Sequence, residues 1–461
     1  MSSHNRDWAR RGCRAAATLV VLAVVLASVP AVRGQNNNDV VGFNARAVGG
    51  ISIDPNGILT NASRDEIGKL RKVLADALQP VPDAMNQTAG LRKVSLRGLD
   101  AEVRKSLDSG KPIPDAIACL AGLQRIRYVL GYPEQNDIVL VGEAEGWKAD
   151  NRGNLVGVRS RRPVLLLDDL VTALRAAASP NRSVMSCSIN PTPEGMRRLE
   201  AFNRQQRTAG ANPQAVAAAY EQQLGPQQIS ITGVPEDSRF ARVMVAADYR
   251  MKRVSLAFDP SPVPGLPSFL AMIRPAMGGG NAMPRFWLQP ESQGLVRDDG
   301  GLAWELGGST VRAMAETDFY DANGIAHPTG QSDAISRKWA QIMTRRYDEL
   351  AQADPVFADL RNCMDLAVVA ALVVKENLPG KVNNRFPSLL GRDGMPTMKV
   401  SAPKQVGTQA SLVRKERSWI IAAGGVQMNP WSAVERSEVK SELAAVRGKS
   451  AAQDRTAWWW D

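Results

Sequence analysis

The sequence predicts an α+β fold, and three observations predict it. Short extended runs are paired across turn signals, as at Asp54-Pro-Asn-Gly57 and Asn151-Arg-Gly-Asn154. Amphipathic helical stretches stand among these pairs without the regular strand-helix-strand rhythm of a parallel α/β sheet. The composition, 44% hydrophobic and 22% charged, is that of an ordinary globular chain and excludes a disordered or fibrous one. No internal repeat is present.

The first 34 residues read as a secretory signal peptide. A basic start (Arg10-Arg11-Gly-Cys-Arg14) precedes the uncharged core Ala15–Val29, and a small residue, Gly34, ends the segment. The core is shorter than the roughly 20 apolar residues of a membrane span. Arg10-Arg11 suggests twin-arginine export, but the residues after it fit that signal poorly. Cleavage after Gly34 would leave 427 of the 461 residues.

The elements run in order along the chain. Gly50–Ile53 and Ile58-Leu59 flank a strong turn and predict a hairpin. Ser63-Arg-Asp-Glu66 is a capping box, and Ile67, Leu70, Leu74 and Leu78 follow at helical spacing until Pro80. Leu91–Leu96 is extended, Asp100–Leu107 helical, and Pro114–Gly122 a helix with proline in its first turn. Arg125–Tyr132 and Ile138–Glu143 form a strand pair, and Asn151–Asn154 closes a second hairpin. Val164–Leu167 is a short buried strand, with Asp168 capping a helix that runs through Ala177. Val184–Ile189 and Ile229–Thr232 are strands. Helices start at Thr192-Pro193 and Asn212-Pro213, and Ser238–Val254 is helical. Phe286–Leu288, Leu302–Leu306 and Thr310–Met314 are strands. Two long helices come next, Asp333–Gln352 and Pro355–Glu376, the second capped by Asp354. Pro379–Pro403 is irregular and Ala410–Val426 strand-rich.

Pro260, Pro262, Pro264 and Pro267, with Gly278-Gly-Gly280 after them, mark 259–284 as a linker. The expected organisation is a signal peptide (1–34), an N-terminal α+β domain (35–258), the linker, a C-terminal α+β domain (285–436) and a polar tail (437–461). Leu366–Val374, the longest later apolar run, is nine residues and predicts a buried helix; no membrane span is expected after signal removal.

The formal charge is +11, and loss of the leader's five arginines and one aspartate brings it to +7. That balance favours an anionic envelope polymer, with a protein partner as the other option. Arg159-Ser-Arg-Arg162 and Arg250-Met-Lys-Arg253 are basic clusters, best read as solvated surface. No nucleic-acid motif accompanies them, so a nucleic-acid partner is not expected. Cys13 falls in the leader. Cys119, Cys187 and Cys363 each sit among apolar neighbours and read as buried structural residues, although one disulfide plus a thiol and three thiols both satisfy the count. The terminal Trp458-Trp-Trp460 could enter a membrane interface or a partner groove, or form a flexible sticky end.

Candidate chemistry is sparse. His327, in the turn-like stretch 323–330, is the one histidine outside the leader, so a multi-histidine zinc site cannot be built and any Ser-His-Asp mechanism must use it. Glu143 and Glu145 are two residues apart and would share a face if their strand continues. They could then act as acid and base or share a hard cation such as calcium. Asp318–Gly324 has a weak likeness to a calcium loop but carries Phe319 where its first aspartate belongs. Gly278–Gly280 lacks the lysine of a phosphate loop. No resident cofactor or metal is expected.

Several stretches resemble exported proteins of planctomycete bacteria, the domain of unknown function 1598 family. They are Gly50–Leu59, Leu120–Tyr128 running into Tyr132–Val139 and Ala144–Trp147, Cys187–Gly195, Ala246–Arg253 and Gly301–Trp304. The resemblance implies export and an unassigned role, and it carries over no catalytic residue. The expectation is an exported, soluble, non-catalytic binding or interaction protein of the bacterial cell envelope, in the periplasm, the envelope or outside the cell. The alternative is an envelope hydrolase working through paired carboxylates.

Overall fold

Two mixed sheets and a buried helix between their covering elements carry the chain. The computed structural model describes Gly50–Asp461 apart from residues 181–183, 206–211, 274–281, 293, 308, 392, 414–417 and 421–422. The expected signal segment, residues 1–34, and Gly278–Gly280 lie outside the described residues. The architecture is α+β.

The larger sheet has nine strands. Their order is Ile51–Ile53, Ile58–Asn61, Gln405–Val406, Gln227–Thr232, Met185–Asn190, Ala423–Met428, Ala282–Ser292, Ser309–Tyr320 and Ala326–Pro328. Two of its pairings are parallel, Gln405–Val406 on Ile58–Asn61 and Ala282–Ser292 on Ala423–Met428; the others are antiparallel. The second sheet runs Glu438–Val439, Leu295–Arg297, Ala303–Leu306, Tyr128–Tyr132, Asp137–Ala144, Ala89–Ser95, Trp459–Trp460. The described residues pack as one unit, and Val263, Leu266 and Phe269 of the proline-rich segment are part of its main core.

Local signals produced local structure. Asp54 Oδ1 accepts from the amides of Asn56 and Ile58, and the hairpin it turns pairs Ile51 with Asn61. The capping box forms: Ser63 Oγ accepts from Glu66 N–H, and Glu66 accepts from Ser63 N–H at 2.7 Å. Ser238, Asn212 and Asp333 cap their helices through side-chain oxygens. Pro355–Lys375 holds the predicted apolar run and is buried from Val356 to Val373. It packs against the helices Leu167–Ala178, Arg239–Ser255 and Pro430–Glu435.

Several expectations are corrected. The Pro114–Gly122 helix stops at Ala118, because Leu120 (φ 47°) and Ala121 (φ 53°) turn left-handed. That turn aims the Ala121 carbonyl at Arg92. Val164–Leu166 is buried but makes no strand; Leu165 N–H bonds singly to Leu123 O and a helix begins at Leu167. Asp168 sits inside its helix and does not cap it, whereas Asp354 does stand at the N-cap of Pro355–Lys375 but spends its carboxylate on Arg152 and Arg250 in place of the helix amides. The Asp333–Gln352 helix is two, divided at Arg346.

The C-terminal residues are not a loose end. Residues 459 and 460 add an edge strand antiparallel to Val94 and Lys93. Gly98 lets Trp458 lie against the helix Leu96–Ser109, since a Cβ there would meet the Trp458 Cβ at 2.5 Å. Arg92, fully buried, grips the Asp461 carboxylate with two donors (2.7 and 3.0 Å) and bonds the carbonyls of Met85, Gln87 and Ala121. Its guanidinium also stacks 5.0 Å over the Trp459 ring. Arg92→Ala should cost about 3–5 kcal/mol in urea unfolding, because it strands the carbonyls and frees the tail. Asp461→Ala should cost less, about 1.5–3 kcal/mol, since the carbonyl bonds survive. The reverse order would show that the tail is not held by this contact.

Candidate functional site

Glu143 and Glu145 do not share a face. The strand ends at Ala144, leaving Glu143 exposed and paired with Arg162 at 2.6 Å. Glu145 turns inward and is 3% exposed. Its carboxylate accepts from Gln124 Nε2 (2.8 Å), Ser160 N–H (2.8 Å) and Arg159 N–H (3.2 Å). Burial alone would push its pKa up, but these donors outweigh burial and hold the carboxyl below its ordinary value. Glu145 therefore anchors the 157–162 loop. His327 is exposed on an edge strand, with Nε2 3.1 Å from Asp321 Oδ2. The amides of Asn323 and Ile325 occupy Asp321 Oδ1, so the stretch that resembled a calcium loop is a hairpin turn. Among the described residues no group of three or more His, Cys, Asp or Glu is placed to hold a metal ion. Cys119, Cys187 and Cys363 are buried and unpaired, and burial pushes each thiol well up.

The densest polar chemistry lies along the helix Arg239–Ser255. Its Arg250–Arg253 cluster is not a solvated surface. Lys252 is 7% and Arg253 9% exposed. Lys252 Nζ donates to Ile189 O (2.8 Å) and Asp248 Oδ2 (3.1 Å), while Arg253 clamps both oxygens of Asp259 at 2.8 Å. Arg250 joins Asp354 (2.9 Å) to the same Asp259. Burial drives Asp248 up to about 6 and Lys252 down, each towards its neutral form. More than two turns N-terminal to this, Arg239 bridges Asp169 and Asp359, the latter at 3.2 Å. Asp168 lies alongside. Burial, then the neighbouring Asp169, raises it to about 7. Asp168 Oδ2, Asp169 Oδ1 and Asp359 Oδ2 have no hydrogen-bond partner. The adjoining cavity, about 20 Å³, has room for one water.

Open space lies elsewhere. A groove of about 620 Å³ runs between the strand Ser309–Tyr320 and the helix Ala334–Arg345. Arg312 and Glu291 line its sheet side, and Arg337, Gln341 and Arg345 its helix side. A second, more open depression of about 590 Å³ lies along Leu96–Ser109, where Arg97, Arg104 and Lys105 alternate with Asp100 and Asp108.

Sequence reasoning missed the groove and the Asp168–Asp169–Arg239–Asp359 cluster. The i, i+4, i+8 spacing of Arg337, Gln341 and Arg345 was a usable signal. So was a pair of aspartates inside the apolar run 164–174, where unpaired acids would be costly.

The fold and its buried polar helix define an α+β protein. Within it, residues 187–269 match the family described as Protein of unknown function (DUF1598), and this segment holds the Met185–Asn190 strand from Cys187 on and the whole Arg239–Ser255 helix. No curated protein and no solved structure matches the chain.

These bonds set two expected outcomes. Glu143→Gln should change stability by no more than about 1 kcal/mol. Glu145→Ala should cost about 2–3 kcal/mol by leaving three donors unmatched; equal effects in chemical unfolding would place Glu145 outside the loop anchor. Asp168, raised to about 7, holds a proton in the fold that the unfolded chain releases near pH 4. Stability it confers is therefore full below pH 4 and is lost as pH rises towards 7. Asp168→Asn should remove that loss, so its melting temperature should exceed the parent's by more at pH 8 than at pH 5. A pH-independent difference would show that Asp168 is ionised throughout.

Proposed function

We propose that the protein is exported and works in the bacterial cell envelope by binding an anionic partner, without catalysis. One observation carries this reading. Among the described residues the fold buries twelve acidic side chains but six basic ones. The exposed surface is therefore more positive than the formal charge of +11 or, without the leader, +7. Such a surface attracts polyanions at long range. The fates of Glu143 and Glu145 support binding over the hydrolase alternative, since one is an exposed ion pair and the other a loop anchor. The leader's charge and apolar order supports export, and the resemblance supports a planctomycete source.

The test is retention of the purified protein on anionic and neutral polymers over a salt series. Binding to the anionic polymers should weaken by about tenfold or more between low and several-hundred-millimolar salt. Equal retention on neutral polymers, or none on any polyanion, would sink the reading. In fractionated cells making the full chain, protein lacking residues 1–34 should lie outside the cytoplasm, and an uncleaved cytoplasmic product would refute export.

A further inference from the structure

We propose that the groove between Ser309–Tyr320 and Ala334–Arg345 is the binding site for a linear acidic polysaccharide. This rests on the anionic-partner reading and gives it a place and a ligand class. Arg337 and Arg345 stand two turns apart on one helix face, about 12 Å along the axis. A single small anion cannot reach both, whereas acid groups on successive sugars of an extended chain can. Among the described residues the Arg345 guanidinium has no hydrogen-bond or ion-pair partner, and the Arg337 guanidinium donates to the Ser332 carbonyl alone. Gln341 lies between the arginines on the helix and Gln331 lines the groove as well, both offering amides to sugar hydroxyls. The floor is small and apolar, formed by Ala313, Ala315 and Ala340. Among the described residues no aromatic side chain lines the groove to offer the stacking platform that single-stranded nucleic acids use.

Arg312 adds selectivity. It is half-exposed and loosely paired with Glu291 at 3.4 Å. An incoming carboxylate can take this guanidinium from Glu291, forming a two-pronged bond that a neutral glycan cannot make. Glu291 thus competes with the ligand, and its removal should tighten binding.

The test measures binding of the full-length protein to polygalacturonate, neutral dextran and inorganic polyphosphate. Arg337→Ala/Arg345→Ala should weaken polygalacturonate binding by about tenfold, and Arg345→Ala alone by about threefold. The single variant removes no bond within the fold, so it reports on binding even if the double variant is unstable. Arg104→Ala/Lys105→Ala, in the depression along Leu96–Ser109, removes the same charge and should leave affinity within about twofold. Glu291→Gln should bind more tightly than the parent. If Arg345→Ala binds as the parent does while the parent still binds polygalacturonate, the groove is not the site but the anionic-partner reading stands. Polyphosphate binding as tight as polygalacturonate would overturn the polysaccharide assignment. A parent protein that binds neither polyanion would overturn both proposals.

Discussion

One guanidinium organises the interior. Arg239 reaches from its own helix to Asp169 on Leu167–Ala178 and to Asp359 on Pro355–Lys375, so three helices meet at a single buried charge. Such a centre is not a large source of stability, because desolvating the ions consumes most of what their attraction returns. Its effect is selective. Sliding any one helix by a residue would leave a charge unpaired in the core, which costs far more than a lost apolar contact. The helices around it are largely apolar, and apolar faces alone tolerate small shifts. The charges fix the register that packing leaves loose.

The same pattern recurs along the helix. Lys252 meets Asp248, and Arg250 and Arg253 converge on Asp259, where the proline-rich segment begins. That segment is further held by Trp339 Nε1–H on Pro267 O and Arg346 on Pro264 O. Acids are drawn inward to meet these cations, and they outnumber them. Asp100, for example, accepts from the amides of Ser388 and Leu389, and Asp298 from those of Leu302 and Ala303. Carboxylates are compact acceptors that suit buried amides, whereas surplus arginines and lysines keep their heads in water. The interior chemistry therefore makes the surface more positive than the formal charge alone would.

Legibility in the sequence followed distance along the chain. The Asp54 turn, the Ser63–Glu66 box and the caps at Asn212, Ser238 and Asp333 were readable because both partners lie within a few residues. Strand order was not. Nothing near Gln405 tells that it will enter between Ile58–Asn61 and Gln227–Thr232. The Arg250–Arg253 run looked like surface because Asp354, one of its partners, is about a hundred residues away. The three tryptophans looked adhesive because Arg92 and Gly98, which receive them, lie more than three hundred residues earlier. Of the candidate site, the sequence offered Glu143, Glu145 and His327. Alternation along a strand put both glutamates on one face, and the strand's end at Ala144 removed that premise.

The matched segment and the groove come from different stretches of the chain. Residues 187–269 supply central strands of the larger sheet and the helix whose charges set the interior register. The groove is built from a later stretch of chain, Glu291 to Arg345. Its arginines are exposed and hold little of the fold together, so they can change without disturbing the core. Substitutions within the charged helix act on every element that meets there. A frame dense in buried ions is intolerant of change, and a solvent-facing arginine stripe is not. A binding role for the groove, as proposed, would let recognition diversify there while the register beneath it stays fixed.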